Sequence, residues 1–174
     1  MKPEFKKAVQ QARKLETDGI DFYTKLAEKC ASPAGKQMFA SFASDEKRHL
    51  KIIKQILEGM GVAMKDVPMP RDTIRTLFTE AMGKMGEYAD ATKEEREAIQ
   101  IALGMETQSY NLYAGSAKDA GDEQTRKLFE RLAREENQHY EMLENTLEYL
   151  NSNEKWFLWK EWALISGDQS SLSG

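Results

Sequence analysis

The sequence predicts an all-α protein: a four-helix bundle of two repeated helical hairpins with a long crossover, plus a short C-terminal helix. Three observations predict it. Glycine and proline are sparse, 11 and 4 among 174 residues, while 31% of the chain is charged and 40% hydrophobic, the profile of a helical globular domain. Apolar residues recur at helical spacing between breaks marked by Gly and Pro. The chain also repeats itself: a shift of 90 aligns residues 8–58 with 98–148.

The repeat comes first because it sets the topology. It pairs Ala8 with Ala98, Gln10 with Gln100, Ala12 with Ala102, Glu16 with Glu106, Thr17 with Thr107, Tyr23 with Tyr113 and Ala27 with Ala117. Further on, Phe39 pairs with Phe129, Ala43 with Ala133, Glu46 with Glu136, His49 with His139 and Leu57 with Leu147. Identity is about a quarter, and conservative pairs such as Phe42 with Leu132 and Ile53 with Leu143 fill gaps. Each unit holds two helices of about 25 residues and a tight turn.

The elements follow in order. The first helix runs from Pro3 to Cys30, with Ala8, Ala12, Leu15, Gly19, Phe22 and Leu26 as its stripe. Ser32 and Pro33 then read as an N-cap and a proline at the first helical position. The second helix carries Met38, Phe42, Leu50, Ile53 and Leu57 and ends near Gly59-Met60-Gly61, glycine being the usual helix terminator. Residues 60–92 form the crossover, broken at Pro68 and Pro70, with an extra helix expected from Thr73 to Tyr88. Thr92 and Glu95 spell a capping box for a third helix bearing Ala98, Ile101, Ala102, Met105, Leu112 and Ala117. Asp122 after Gly121 caps the fourth, which carries Leu128, Leu132, Leu143, Leu147 and Leu150. Residues 1–151 are expected to form the bundle and 152–174 a C-terminal aromatic helix and tail. All three tryptophans, Trp156, Trp159 and Trp162, lie in that last segment. A patch that large is uncomfortable in water; it could dock onto its own bundle or onto another chain, and a homodimer contact is the favoured cover.

Composition narrows the function. A net charge of −4 argues against nucleic acid as a partner. The single cysteine, Cys30, excludes an internal disulfide and a Cys-rich metal site within one chain. No apolar run is long enough for a membrane span, and residues 1–7 lack an apolar signal core, so the expected compartment is the cytoplasm.

The only two histidines, His49 and His139, each follow a glutamate by three residues, Glu46 and Glu136. Residues three apart on a helix share a face. Each pair is preceded 30 residues upstream by another glutamate, Glu16 and Glu106. The phase that buries Phe42, Ile53 and Leu57 carries Glu46 and His49 inward, and Glu16 and Glu106 lie four residues after Ala12 and Ala102. One Glu-x-x-His is common on any charged helix; two, in register with two single glutamates, form the ligand set of a dinuclear carboxylate bundle. Inward carboxylates are costly unless paired or bound to cations. Oxygen and nitrogen ligands of this kind accept two iron ions, and manganese or zinc also fits.

The stretch Leu15-Glu16-Thr17-Asp18-Gly19-Ile20-Asp21-Phe22-Tyr23, followed by Asp45-Glu46-Lys47-Arg48-His49 and echoed at Met105-Glu106 to Tyr113 and Glu135-Glu136 to His139, resembles the rubrerythrin branch of the ferritin-like superfamily. The resemblance covers about residues 5–150 and implies a ferritin-like di-iron oxidoreductase that reduces hydrogen peroxide or dioxygen. It assigns Glu46 with His49 to one iron, Glu136 with His139 to the other, and Glu16 and Glu106 as terminal or bridging carboxylates. Tyr23 and Tyr113 would hydrogen-bond ligand carboxylates. Asp45 and Glu135 point about 100° away from the ligands, either into solvent or toward a histidine of a neighbouring helix. Two departures stand out. Typical rubrerythrins have a further glutamate three residues after the third-helix ligand, where this chain has Ser109 and, at the matching first-helix position, Gly19. No four-cysteine rubredoxin domain is present in the sequence, so the resemblance implies electrons from an external donor such as a rubredoxin-type protein, or from Fe(II) itself. Iron storage and oxygenation of an organic substrate are the alternatives.

Overall fold

The computed structural model describes residues 3–59, 69–70 and 90–157. Four helices account for almost all of them: α1 (Pro3–Lys29), α2 (Pro33–Leu57), α3 (Lys93–Asp119) and α4 (Glu123–Asn153). The expected crossover helix, most of the crossover, and Trp159 and Trp162 lie outside the described residues.

Helix boundaries follow the caps. Ser32 Oγ accepts the Gly35 N–H at 3.3 Å, with Pro33 in the first turn. Thr92 and Glu95 form a reciprocal box, Glu95 N to Thr92 Oγ1 at 3.1 Å and Thr92 N to Glu95 Oε2 at 2.9 Å. Asp122 Oδ1 accepts Thr125 N at 2.9 Å. Each such cap contributes about 1 kcal/mol. Gly59 takes φ +69° just beyond α2, a conformation that costs glycine nothing.

α1 packs along α2 and α3 along α4, the hairpins of the repeat. The two hairpins meet chiefly through α1 and α3, whereas α2 and α4 touch sparsely. Their apolar residues sort into two clusters. One joins Tyr23, Met38, Phe39, Phe42, Ile99, Ala102, Leu143 and Leu150. The other joins Val9, Ala12, Ile53, Tyr113, Leu128, Phe129 and Leu132. The late part of α1 therefore sits with the early parts of α2 and α3 and the late part of α4, which makes α1 antiparallel to α2 and α3. The 90-residue shift exchanges the clusters: Tyr23 with Tyr113, Phe39 with Phe129, Phe42 with Leu132, Ala102 with Ala12. The bundle thus has one apolar core toward each end and a different kind of layer between them. Each fully buried Leu, Ile or Phe contributes about 1.5–3 kcal/mol.

Two expectations change here. Ile101 lies on the outer side of α3, 57% exposed, because its neighbour Ala102 takes the inward phase. Trp156 does not cover a dimer face: it is fully buried in its own bundle, edge-on to Phe39 with ring centres 6.0 Å apart. α4 stops at Glu154, whose φ of 56° turns the chain. The next residues return along the bundle, Ala91 N bonding Glu154 O at 2.9 Å. Trp156 Nε1 then donates to Glu95 Oε2 at 2.9 Å. Glu95 Oε1 also accepts Ala31 N at 3.2 Å. One capping carboxylate thus ties the α1–α2 turn, the start of α3 and the C-terminal segment together. Among the described residues no helix is long and apolar enough to cross a membrane.

Gly35 sits where this seam is tightest. A Cβ there would lie 2.5 Å from Cys30 Sγ and 2.8 Å from the Trp156 ring. Alanine in a helix ordinarily gains close to 1 kcal/mol over glycine. Here overpacking against a rigid buried indole outweighs that gain, so Gly35→Ala is expected to destabilise by about 1–3 kcal/mol, read as a lower denaturant midpoint at unchanged slope.

Candidate metal centre

The layer between the two apolar cores is ionisable. Glu16, Glu46, His49, Glu106, Glu136 and His139 are all buried, none more than 4% exposed, so every metal-ligand candidate of the sequence reaches one place. α1 contributes Glu16, α2 Glu46 and His49, α3 Glu106, and α4 Glu136 and His139. The three-residue spacing brings each helix's Glu and His inward together.

Ligand-capable atoms form two overlapping groups, each with all its atoms within 4.8 Å of one another: Glu16, Glu46, His49 and Glu136, and Glu46, Glu106, Glu136 and His139. Glu46 and Glu136 belong to both. Glu46 turns Oε2 to His49 Nδ1 at 3.4 Å and Oε1 to His139 Nδ1 at 3.5 Å. Glu136 does the same, with Oε1 at 3.0 Å and Oε2 at 3.5 Å. Each carboxylate therefore spans both positions, one oxygen to each. Glu16 stands 3.5 Å from His49 Nδ1 and Glu106 3.7 Å from His139 Nδ1, one at each end. The sequence left open which glutamates bridge; here Glu46 and Glu136 adjoin both groups, and Glu16 and Glu106 adjoin one each.

These contacts are close without being hydrogen bonds. Both oxygens of Glu16, both of Glu136, and Nδ1 of each histidine lack a hydrogen-bond partner despite full burial. Such orphans are rare in folded proteins, and a bound ion is one of the few explanations. Oxygen and nitrogen atoms that converge at 3.0–3.7 Å from four helices suit divalent cations. The residues fit a pair of metal ions.

Electrostatics agree. Burial, and next the charge of Glu46, raise the Glu16 carboxyl well above its usual range. Burial, and next Glu136, do the same for Glu106. Burial opposes a charge on His49, yet Glu136 and Glu16 hold its pKa well above the usual value, as Glu106 and Asp45 do for His139. Without cations, protons do the neutralising.

The outer side of each imidazole is equally defined. His49 Nε2 lies 2.9 Å from Glu135 Oε2 and His139 Nε2 3.3 Å from Asp45 Oδ2. Asp45 and Glu135 are buried: of their two expected placements, solvent is excluded and the neighbouring-helix histidine holds. With a cation bound, a carboxylate at Nε2 would keep the proton there and leave the Nδ1 lone pair for the metal. Arg48 bonds both Asp45, at 2.8 Å, and Glu135, while Arg131 bonds Glu135. Against burial, His49 and Arg48 hold Glu135 well below the usual carboxylate range. The arginines escaped the sequence reading, although Arg131 stands four residues before Glu135 and Arg48 three after Asp45, both helical-neighbour spacings.

The tyrosines differ. Tyr23 Oη donates to Glu106 Oε1, as expected. Burial and then the Glu106 charge push the Tyr23 hydroxyl well above its usual pKa, so Oη keeps its proton. Tyr113 is buried, but its hydroxyl has no hydrogen-bond partner. Gly19 also has a stated purpose: a Cβ there would lie 3.3 Å from Glu46 Cγ, so the site needs the space. Ser109, its repeat equivalent, is half-buried and offers no carboxylate. Met38 and Met142 are buried core residues.

An all-α bundle with a buried carboxylate–histidine layer at its middle defines the ferritin-like class of metal-binding bundles. Within that class the chain belongs to the rubrerythrin family, whose family model matches residues 7–147. Comparison with curated proteins and with solved structures gives no match.

A layer built for cations is a liability without them. Replacing Glu16, whose two oxygens lack partners, by the similarly sized Met removes a buried unsatisfied group that costs about 1–3 kcal/mol. Glu16→Met is therefore expected to raise the stability of the metal-free protein by that order, measured by chemical denaturation in chelator.

Proposed function

We propose that the protein is a di-iron oxidoreductase that reduces hydrogen peroxide or dioxygen, of the peroxidase or ferroxidase type. The observation that carries the reading is the pair of shared carboxylates, Glu46 and Glu136, each offering one oxygen to each of two adjoining ligand groups. Two iron ions held there would supply two one-electron changes, the number that takes hydrogen peroxide to water or dioxygen to hydrogen peroxide.

The chain's own residues supply the rest. Glu16 and His49 would complete one position, Glu106 and His139 the other, with Glu46 and Glu136 common to both. Carboxylates suit the task because they move between one-metal and two-metal contact without losing charge. The apolar cores on either side, with Phe42 4.3 Å from the His139 ring, keep bulk water out, so charge changes inside the layer are felt strongly. Tyr23 orients Glu106 and holds a proton at Oη beside it. Ser109 cannot act as a ligand in place of the family's extra glutamate, which favours a near-symmetric site over one in which a histidine and a carboxylate trade places. Electrons would come from a separate donor, such as a rubredoxin-type protein, or from Fe(II) itself. A cytoplasmic homodimer is the assembly proposed, and manganese or zinc is a possible substitute for iron.

Two measurements test this. Anaerobic loading is expected to take up two Fe(II) per chain, and stopped-flow mixing to oxidise the loaded protein faster with peroxide than with dioxygen. The reverse order, with uptake beyond two per chain, would replace this reading with iron storage. Stoichiometry also separates the ligands: Glu46→Ala and Glu136→Ala should each weaken both metal positions, whereas Glu16→Ala or Glu106→Ala should weaken one. Equal behaviour of all four in a metal titration would reject the bridging roles.

A further inference from the structure

We propose that Arg48 is a positioning residue that holds both metal positions at once, from outside the ligand layer. The inference rests on the two-metal reading above.

Arg48 sits on α2 beside His49, but its side chain leaves the layer on the outer side and is 23% exposed. One nitrogen, Nη2, donates to Asp45 Oδ1 at 2.8 Å on its own helix and to Glu135 Oε2 on α4. Those two carboxylates are the acceptors behind the two histidines. Glu135 Oε2 faces His49 Nε2 at 2.9 Å, and Asp45 Oδ2 faces His139 Nε2 at 3.3 Å. The contacts form one continuous chain: His49, Glu135, Arg48, Asp45, His139. Each imidazole is thus backed by the carboxylate of the opposite helix, and one guanidinium joins the two backs.

The clamp joins α2 to α4, whose backbones approach each other closely at few places. Without Arg48, Asp45 and Glu135 face each other as like charges, both within reach of the same point and shielded from water. Such a pair repels, and each carboxylate that shifts takes with it the acceptor behind one imidazole, so both Nδ1 atoms lose their fixed direction.

The repeat does not duplicate the guanidinium charge: the position equivalent to Arg48 is the neutral Gln138, and that equivalent to Arg131 is Ser41. Arg131 bonds Glu135, which stands behind His49 alone. The two arginines therefore carry different signatures. Loss of Arg48 should disturb both metal positions, and loss of Arg131 one.

Co(II) titration of the full chain, followed by calorimetry and visible absorption, reads this directly. Loss of an outer partner of a metal-bound histidine typically costs about 10- to 100-fold in affinity. Wild type is expected to bind two Co(II) per chain. Arg48→Met should weaken both steps about 10-fold or more and alter the ligand-field spectrum of both, and Arg131→Met should do so for one. Arg48→Gln, which keeps one donor, is the milder variant should Arg48→Met not fold, and should weaken both steps by a smaller factor. A folded Arg48 variant with both steps and spectra unchanged overturns the inference, as does one that weakens only the step Arg131→Met also weakens. Wild type binding fewer than two Co(II) overturns the two-metal reading and this inference with it.

Discussion

Four carboxylates and two imidazoles share the middle of a helical bundle with almost no access to water. That constraint organises the rest of the molecule. Ionised groups cannot be buried together unless something neutralises them, and here the alternatives are protons or cations. The apolar clusters on either side must be large enough to outweigh the unfavourable layer, which is why the helices are long and both halves of each contribute large buried side chains. The small residue at position 19 belongs to the same logic, since a larger one would press on Glu46. A purely structural bundle would be better served by leucines at these six positions.

The sequence is nearly twofold, and the inner layer follows it. Glu16 and Glu106, Glu46 and Glu136, His49 and His139 occupy equivalent places around the same centre. Outside that layer the symmetry breaks. Both arginines converge on Glu135, and one continues to Asp45. Tyr23 engages Glu106, while the Tyr113 hydroxyl has no partner. Two positions with equivalent inner ligands and unequal surroundings need not bind or react alike. In the rubrerythrin family this chain is therefore of interest for what surrounds its ligands.

Much of this was legible in the sequence because it is periodic. Helical spacing, three N-caps and the 90-residue repeat act locally and leave clear marks, so four helices and six inward ligand candidates follow from spacing alone. Bridging was not legible, because Glu16 and Glu46 look alike along a chain and differ only in where four helices converge. Asp45 and Glu135 were read only as two alternatives, since their role depends on which helix lies opposite. Trp156 misled for a similar reason. A cluster of tryptophans near a chain end reads as an exposed patch until the turn at Glu154 and the Glu95 carboxylate bring the first of them home.

Glu95 has a consequence for the order of assembly. It opens α3 yet touches Ala31 behind it and Trp156 ahead of it, and the core at that end draws on all four helices and the segment beyond them. Neither hairpin can finish that end alone. During synthesis the first hairpin must wait, partly unsealed, until the chain has grown past residue 156, and closure there is a single late event shared by distant parts of the sequence. Among the described residues the opposite core draws on nothing beyond Ala133, so by these residues the two ends of the bundle, equivalent by sequence repeat, are completed at different times.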